Sequence, residues 1–245
     1  MNTKLSVNLN KVATLRNTRA IGVPDIVRCA RWCIESGADG ITVHPRPDQR
    51  HIRPHDVDNL AALLKGHLDV EFNVEGNPFL GLLEHATKHR PTQCTLVPDD
   101  SEQSTSDHGW DLARDATRLR PIVATLRALG CRISLFVDAD ATAMPIARDI
   151  GADRVELYTE PYARAFAGGR HRDELERLRE AASAGRASGL GVNAGHDLNL
   201  ENLGPLLAAI PYIAEVSIGH ALIADALEMG MPEAVRRYRA VANGG

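Results

Sequence analysis

The feature that most constrains the fold is a regular alternation of eight short apolar segments with longer segments of helical pattern. One linking segment, PDIVRCARWCIESG, has proline near its start and glycine just past its end, as helices often do. Eight strand–helix units in 245 residues predict a (β/α)8 barrel. The eight apolar segments begin at Leu5, Gly40, Leu68, Gln93, Arg132, Asp153, Leu190 and Ala214.

The alternative architecture is a doubly wound open sheet, which usually carries a glycine-rich turn after its first strand. The segment SVNLNKVATLRNTR, which follows the start of the first strand, contains no glycine. The chain also has no Ser/Gly-rich linker and no break in composition. We therefore expect one barrel domain that spans residues 1–245.

Composition limits the partners that this chain is expected to have. The 44% apolar and 24% charged residues are ordinary for a globular protein, and the formal net charge of -4 disfavours nucleic acid. No apolar run is long enough to span a membrane. Four cysteines without a recognisable signal peptide favour reduced, buried thiols and a cytoplasmic location.

Several predicted strands alternate strictly between apolar and polar residues. In the third strand Val70, Phe72 and Val74 are interleaved with polar side chains, including Glu71 and Glu75. Successive side chains of a strand point to opposite faces, so one face of these strands packs on helices and the other is polar. In a closed barrel the polar face is the interior. Because buried polar groups are costly unless paired or functional, this pattern predicts a site that reaches into the barrel.

Active sites of such barrels lie at the carboxyl ends of the strands. His44, His196 and His220 fall at this level on three different strands, and imidazole exchanges protons near neutral pH. We expect the following residues at the strand ends: Asn8, Asn10, His44, Arg46, His51, Glu71, Asp138, Glu156, His196, Gly219 and His220.

Each of these residues can also have a purely structural role. A histidine at a strand end can simply bond to loop backbone, although three at one level make this less attractive. Glu71 can be a structural partner of Arg154 inside the barrel, and the residues alone leave this open. Gly195 and Gly219 can merely form tight turns.

Anion binding is the second predicted property. Arg16, Arg19, Arg46 and Arg50 follow early strands, and guanidinium groups suit phosphate recognition. Gly195 and Gly219 end the last two strands, where barrels of this kind often bind phosphate through backbone N–H groups. Two cationic neighbourhoods predict substrates that carry two phosphates in total.

The chain resembles the pyridoxine 5′-phosphate synthase family of deoxyxylulose-dependent vitamin B6 biosynthesis. The resemblance covers nearly the whole sequence and rests on the blocks VNLNKVATLRNTR, GADGITVHPRPDQRHI, SLFVDAD, VNAGHDL and SIGHALI, in the family's order. It implies a barrel with extra helices that assembles as a homo-octamer. It also implies condensation of 3-amino-2-oxopropyl phosphate with 1-deoxy-D-xylulose 5-phosphate to give pyridoxine 5′-phosphate, phosphate and water, with no metal and no cofactor.

The resemblance also assigns roles to individual residues. His44 matches the proton acceptor, Glu71 a second general base, His196 the proton donor and Glu156 a carboxylate that stabilises a transition state. Asn8, Arg19, Gly219 and His220 match positions that bind the aminoketone phosphate. The positions matching the deoxyxylulose phosphate site are Arg46, His51 and Thr105.

Three positions depart from the family pattern. Asn10 and Lys11 stand where the pattern has Asp-His, and Asp197 stands where it has glycine. Asn10 can still form a hydrogen bond with a sugar hydroxyl, and the Lys11 ammonium group can bind a phosphate through its charge. These substitutions are expected to alter sugar-phosphate binding and to leave the proton-transfer residues unchanged.

Two other functions are compatible with the same residues. One is a metal-dependent isomerase or hydrolase with His44, Glu71, Asp138 and His196 as ligands. The other is a non-catalytic barrel that binds phosphosugars through its arginines and glycines. Loss of activity on chelation would identify the first, and absence of turnover the second.

Overall fold

The computed structural model describes residues 3–100 and 106–244, in which eight parallel strands close into a barrel. Each strand pairs with the next, and β8 pairs with β1 through the register Val7–Ile218. The predicted (β/α)8 architecture is therefore confirmed. The strands are β1 (Lys4–Asn8), β2 (Gly40–Val43), β3 (Glu71–Gly76), β4 (Gln93–Leu96), β5 (Arg132–Val137), β6 (Arg154–Tyr158), β7 (Gly191–Gly195) and β8 (Glu215–Ile218).

Helices surround the barrel. Three of the segments that follow strands contain two helices each, in agreement with the predicted extra helices. These pairs are α1 with α2, α7 with α8, and α10 with α11. A short π-helical segment, Pro78–Leu82, precedes α4. The helices are α1 (Asn10–Asn17), α2 (Ile26–Glu35), α3 (Pro54–Leu64), α4 (Leu83–His89), α5 (Leu112–Ala128), α6 (Ala143–Ile150), α7 (Glu160–Ala167), α8 (Arg172–Ala187), α9 (Leu203–Ala209), α10 (His220–Met229) and α11 (Met231–Ala242).

The third strand begins later than its sequence pattern predicts. Leu68 is 94% exposed, and the Val70 N–H donates to the His67 carbonyl in a turn. The strand itself starts at Glu71. Glu71 therefore lies at the amino-terminal end of the barrel and not near the strand's carboxyl end.

The apolar core lies between the outer face of the barrel and the helices. Leu5, Val7 and Ile41 are fully buried there. The barrel interior is instead polar: the hydroxyls of Ser6 and Thr42 lie 2.6 Å apart, and the Thr95 hydroxyl donates to Asn73 at 3.0 Å. Because these groups form hydrogen bonds with one another, their burial costs little free energy.

The four cysteines are unpaired and buried, as expected for reduced thiols. Across residues 3–100 and 106–244, none of the helices has the length and apolar character needed to cross a membrane.

Candidate active site

A cavity of about 280 Å³ opens at the carboxyl ends of the strands, and eleven of the fourteen predicted site residues line it. Residues from both halves of the chain therefore meet in one place, as the barrel prediction requires. The eleven are Asn8, Asn10, Lys11, His44, Arg46, His51, Glu156, His196, Asp197, Gly219 and His220.

His44 follows β2 and is oriented by the first residue of α1. Its backbone N–H donates to Asn10 Oδ1 at 2.9 Å, so Asn10 fixes the end of β2 as well as lining the cavity. Burial lowers the pKa of His44 well below its usual value, and the charge of Arg46 lowers it further. The imidazole is therefore neutral at pH 7 and able to accept a proton.

Arg46 and His51 are also held in defined orientations. The Arg46 guanidinium forms a buried ion pair with Asp99, whose carboxylate also accepts a 2.6 Å hydrogen bond from the Ser106 hydroxyl. The backbone N–H of Ile52 donates to His51 Nδ1 at 2.9 Å, which leaves the ring proton on Nε2. Burial lowers the pKa of His51 to about 4, so His51 is a neutral hydrogen-bond donor.

His196 follows β7 and lies among aromatic rings. Its ring centroid is 5.5 Å from that of Phe136 and 5.3 Å from that of Tyr158. Burial lowers the pKa of His196. His196 and Asp197 both have positive φ, 85° and 55°, a conformation that is uncommon outside glycine and recurs at functional sites.

Glu156 projects from the middle of β6 into the base of the cavity and is 3% exposed. Its Oε2 atom has no hydrogen-bond partner among the described residues. A Cβ atom on Gly195 would overlap Glu156 Oε1. The glycine of the VNAGHDL block is thus required by a neighbouring carboxylate. The predicted binding of an anion by the Gly195 backbone is not supported by any contact of the described residues.

The end of β8 leads directly into α10, which begins at His220. Gly219 and His220 line the cavity, so the amino-terminal end of this helix faces it. Asn8 packs against Gly219 and accepts a 2.9 Å hydrogen bond from the Asn10 N–H through its Oδ1. Backbone N–H groups at a helix start favour an anion, as the phosphate prediction requires.

The predicted position of Glu71 is wrong. Glu71 does not line the cavity, and it forms ion pairs with Lys4 and Arg132. Burial raises the pKa of Glu71, but the hydrogen bonds from Arg132 and Lys4 outweigh it and lower the pKa to about 2. The structural role considered for this residue is the one observed, with different partners: Arg154 instead pairs with Glu215 at 3.2 Å.

Two further predicted residues do not appear among the described residues of the cavity wall, for different reasons. Arg19 lies in the exposed loop after α1 and is absent from the cavity wall. Thr105 lies outside the described residues. Their predicted contacts with the two phosphates stay predictions.

Glu75 and Glu160 also line the cavity, although neither was predicted there from the sequence. The signal for Glu75 was present, because it shares the polar face of β3 with Glu71 and lies next to the strand's end. The rule that sites lie at carboxyl ends therefore favours Glu75 over Glu71. The cavity is also lined by seven residues that were not predicted as site residues: Val97, Ser106, Phe136, Tyr158, Leu198, Ser217 and Ala221.

The four side chains considered as metal ligands do not lie together in the structure. Glu71 is at the opposite end of the barrel, and Asp138 accepts a 2.9 Å hydrogen bond from the Gly109 N–H. In residues 3–100 and 106–244 no group of three or more His, Cys, Asp or Glu side chains is arranged to hold a metal ion.

Comparison with known proteins gives matches over the full chain. The sequence model of a family described as "Pyridoxal phosphate biosynthesis protein PdxJ" matches residues 5–244. A protein of Albidiferax ferrireducens named "Pyridoxine 5′-phosphate synthase" is 56% identical, with 100% of this chain and 99% of that protein covered. One of the same name from Xanthomonas campestris pv. campestris (strain B100) is 54% identical, with 100% and 98% covered.

Solved structures support the fold at much lower identity. Tryptophan synthase subunit alpha from Legionella pneumophila superposes with a TM-score of 0.66 at 13% identity, covering 99% of this chain and 94% of that one. This likeness concerns the barrel architecture alone.

Proposed function

Because the chain belongs to the family of pyridoxal phosphate biosynthesis protein PdxJ, we propose that it is a pyridoxine 5′-phosphate synthase. Its substrates are 3-amino-2-oxopropyl phosphate and 1-deoxy-D-xylulose 5-phosphate. The observation that carries this proposal is the single cavity in which His44, His196 and Glu156 meet Arg46 and His51. Full-length relatives at 53–56% identity carry the same name, which supports it.

The acid–base residues suit a reaction made of successive proton transfers. The amine adds to a ketone, water and phosphate leave, and the ring closes. His44 is neutral because its pKa is lowered, so it takes the proton of the attacking amine. Burial raises the pKa of Glu156 well above its usual value, so its carboxyl group is able to hold a proton where charge develops.

Binding of two phosphates is supported by two different parts of the cavity wall. Arg46, His51 and Lys11 lie on the side of β1 and β2, while His220 and the start of α10 lie on the side of β8. The first group offers charged and neutral donors, and the second offers backbone N–H groups. Holding both phosphates brings the amine and the ketone together in one orientation.

The proposed enzyme works in the cytoplasm as a homo-octamer. Exposed apolar side chains in and after α1, namely Leu15, Ile21 and Val23, support association with further copies. His196 is proposed as a proton donor, and because its pKa is lowered it acts through its neutral N–H or after taking up a proton.

Turnover of the two substrates by the purified chain tests the function. We expect pyridoxine 5′-phosphate, followed by its absorbance, and one inorganic phosphate released per product. His44→Ala should lower kcat by about 10²-fold or more while the thermal midpoint stays near that of the unchanged chain. Binding of both phosphates without any product would instead support the non-catalytic phosphosugar-binding barrel.

A further inference from the structure

Arg16 is a buried cation that the site described above does not use. It lies in the last turn of α1, is 8% exposed and is absent from the cavity wall in the part of the chain that the structure describes. The sequence analysis grouped it with the arginines that suit a phosphate. A buried guanidinium is costly unless its N–H groups form hydrogen bonds, so its partners indicate its role.

All three nitrogens of the Arg16 guanidinium donate to neighbouring groups. Nη2 lies 2.9 Å from one carboxylate oxygen of Asp56 and 3.2 Å from the backbone carbonyl oxygen of His51, and Nη1 donates to the other oxygen of Asp56. Nε lies 3.1 Å from the side-chain oxygen of Asn17. The guanidinium is therefore used inside the protein, and the contact with a phosphate expected from the sequence is not supported.

Asn17 extends this arrangement to the chain that leads into His51. Its amide nitrogen donates to two successive backbone carbonyls, that of Arg50 at 3.0 Å and that of His51 at 2.8 Å. Its amide oxygen accepts from the Arg16 guanidinium. The His51 carbonyl thus receives two donors, one from Asn17 and one from Arg16.

Asp56 connects these residues to α3. Its carboxylate is 4% exposed, pairs with Arg16 and accepts the Arg53 N–H at 2.8 Å at the start of the helix. Asn17 and Asp56 therefore bind the backbone on both sides of residue 52. We call Arg16, Asn17 and Asp56 the α1–α3 cluster.

The segment that the α1–α3 cluster holds contains an unusual turn. Gln49 has a φ of 55°, a conformation that is uncommon outside glycine and persists where surrounding contacts enforce it. Its N–H donates to the Arg46 carbonyl at 3.0 Å, so the chain turns between two residues of the cavity wall, Arg46 and His51. Arg46 is held on one side of this turn by its ion pair with Asp99, and the α1–α3 cluster holds the other side.

The α1–α3 cluster acts on the His51 imidazole through the backbone. The Nδ1 atom of the ring accepts the Ile52 N–H at 2.9 Å, so the orientation of the ring depends on the backbone of residues 50–52. The ring centroid lies 6.3 Å from that of His44. A displacement of this segment would move one imidazole of the cavity and change its distance from another.

We propose that Arg16 and Asn17 are positioning residues for His51, which they hold in place to bind the deoxyxylulose phosphate. The proposal rests on the proposed synthase function, in which His51 binds that substrate. It gives Arg16 a role that differs from the phosphate contact expected from the sequence. It also gives Asn17 and Asp56 a role in the reaction, where the sequence analysis assigned none.

Asn17→Ala tests the proposal without a change of charge. It removes the donor to the carbonyls of residues 50 and 51 and leaves the cavity wall unchanged. We expect the KM for 1-deoxy-D-xylulose 5-phosphate to rise by about 10-fold, because the hydrogen bond from His51 to the charged phosphate is lost, and the KM for 3-amino-2-oxopropyl phosphate to stay within about twofold. A rise of less than about threefold, or an equal rise for both substrates, would overturn the proposal.

A second pair of variants separates positioning from the loss of a buried ion pair. Asp56→Asn removes the carboxylate that holds Arg16 and should raise the same KM by about threefold or more. Asp115→Asn is the matched control, since Asp115 is 3% exposed on α5, pairs with Arg114 and Arg118 and does not line the cavity. Both variants should lower the thermal midpoint, and only Asp56→Asn should change the KM. A similar change of KM in both would contradict positioning.

Hydrogen exchange followed by mass spectrometry tests the α1–α3 cluster without substrate. Peptides that contain the amides of residues 50–53 should exchange about 10-fold faster in Asn17→Ala than in the unchanged chain, because the N–H groups of Ile52 and Arg53 depend on this segment. Peptides from α5 should exchange equally in both proteins. Unchanged exchange at residues 50–53 would refute the holding of this segment by Asn17.

The two proposals fail in different ways. If the unchanged chain forms product and Asn17→Ala shows the same KM values and the same exchange, only the positioning role is overturned. If the unchanged chain forms no pyridoxine 5′-phosphate from the two substrates, the synthase function fails, and hydrogen exchange still decides whether the α1–α3 cluster holds residues 50–53.

Discussion

At the scale of single residues, neighbours decide what a carboxyl group does. Glu71 and Glu75 are the same residue type on the same face of one strand, about 13 Å apart along it. Lys4 and Arg132 hold the pKa of Glu71 at about 2, although burial opposes them. Burial and the carboxylates of Asp99 and Glu215 raise the pKa of Glu75 to about 8.

Replacement of Glu71 by glutamine should therefore affect stability first. The carboxylate pairs with Lys4 and Arg132, so Glu71→Gln should lower the free energy of unfolding by about 2 kcal/mol at pH 7. A group with a lowered folded-state pKa stabilises above its unfolded value of 4.5 and loses this effect as pH falls toward 2. Urea unfolding of both proteins at pH 7 and pH 3 measures the difference, which should shrink at pH 3.

The same variant separates the two interpretations of Glu71. Turnover by folded Glu71→Gln should persist, because the residue lies outside the cavity. Loss of turnover at unchanged stability would contradict this and return Glu71 to the role of general base that the family resemblance implies.

At the scale of secondary-structure elements, the packing of β6 against β7 positions the site. Glu156 pairs with Asn193 in the register of these strands, and its carboxylate occupies the space that the missing side chain of Gly195 leaves. The Thr159 hydroxyl lies 2.6 Å from the His196 carbonyl, so the start of α7 also holds the end of β7. The geometry of Glu156 and His196 therefore depends on a close approach of two strands.

A methyl group at position 195 should disturb this geometry. Gly195→Ala would displace the Glu156 carboxylate, and a shift of about 1 Å at a reacting group costs about 10²-fold in kcat. The thermal midpoint should change little, because the atom that moves is the end of a flexible side chain. Gly204→Ala, where a Cβ meets only Val241 at 3.7 Å, is the control and should keep full activity. Equal kcat in both variants would refute a positioning role for Gly195.

At the scale of the whole molecule, the barrel separates two environments. Apolar side chains outside the sheet supply the packing, and the interior carries polar groups, among which Arg154 donates to Asn193 and Glu215. The outer surface near α1 remains apolar at Leu15 and Ile21, which a monomer in water would not favour. This surface supports the proposed association of copies.

Light scattering on the purified chain measures that association. We expect a mass eight times that of the 26.6 kDa chain, and a lower mass for Ile21→Glu, because burying a carboxylate in an apolar contact is costly. Leu68→Glu is the control, since Leu68 is exposed at the other end of the barrel, and it should keep the full mass. A single-chain mass for the unchanged protein would contradict the octamer.

Local pattern in the sequence was sufficient for the barrel, its polar interior and nine of the twenty described residues that line the cavity. Strand ends are visible in the order of residues, and in a parallel barrel all carboxyl ends meet on one side. The pattern alone therefore places His44 and His196 together. The extra helix α1 buries Val12, Ala13 and Arg16, and Arg16 pairs with Asp56 of α3.

Only the tertiary structure decided where β3 begins and what charge each of its carboxyl groups carries. The strand begins at Glu71 because residues 67–70 form a turn, a boundary that alternation of polar and apolar residues does not mark. The pKa of a buried acid depends on groups distant in the chain, such as Arg132 for Glu71 and Glu215 for Glu75. Electrostatic energy depends on distance in space, which closure of the barrel sets and residue order does not.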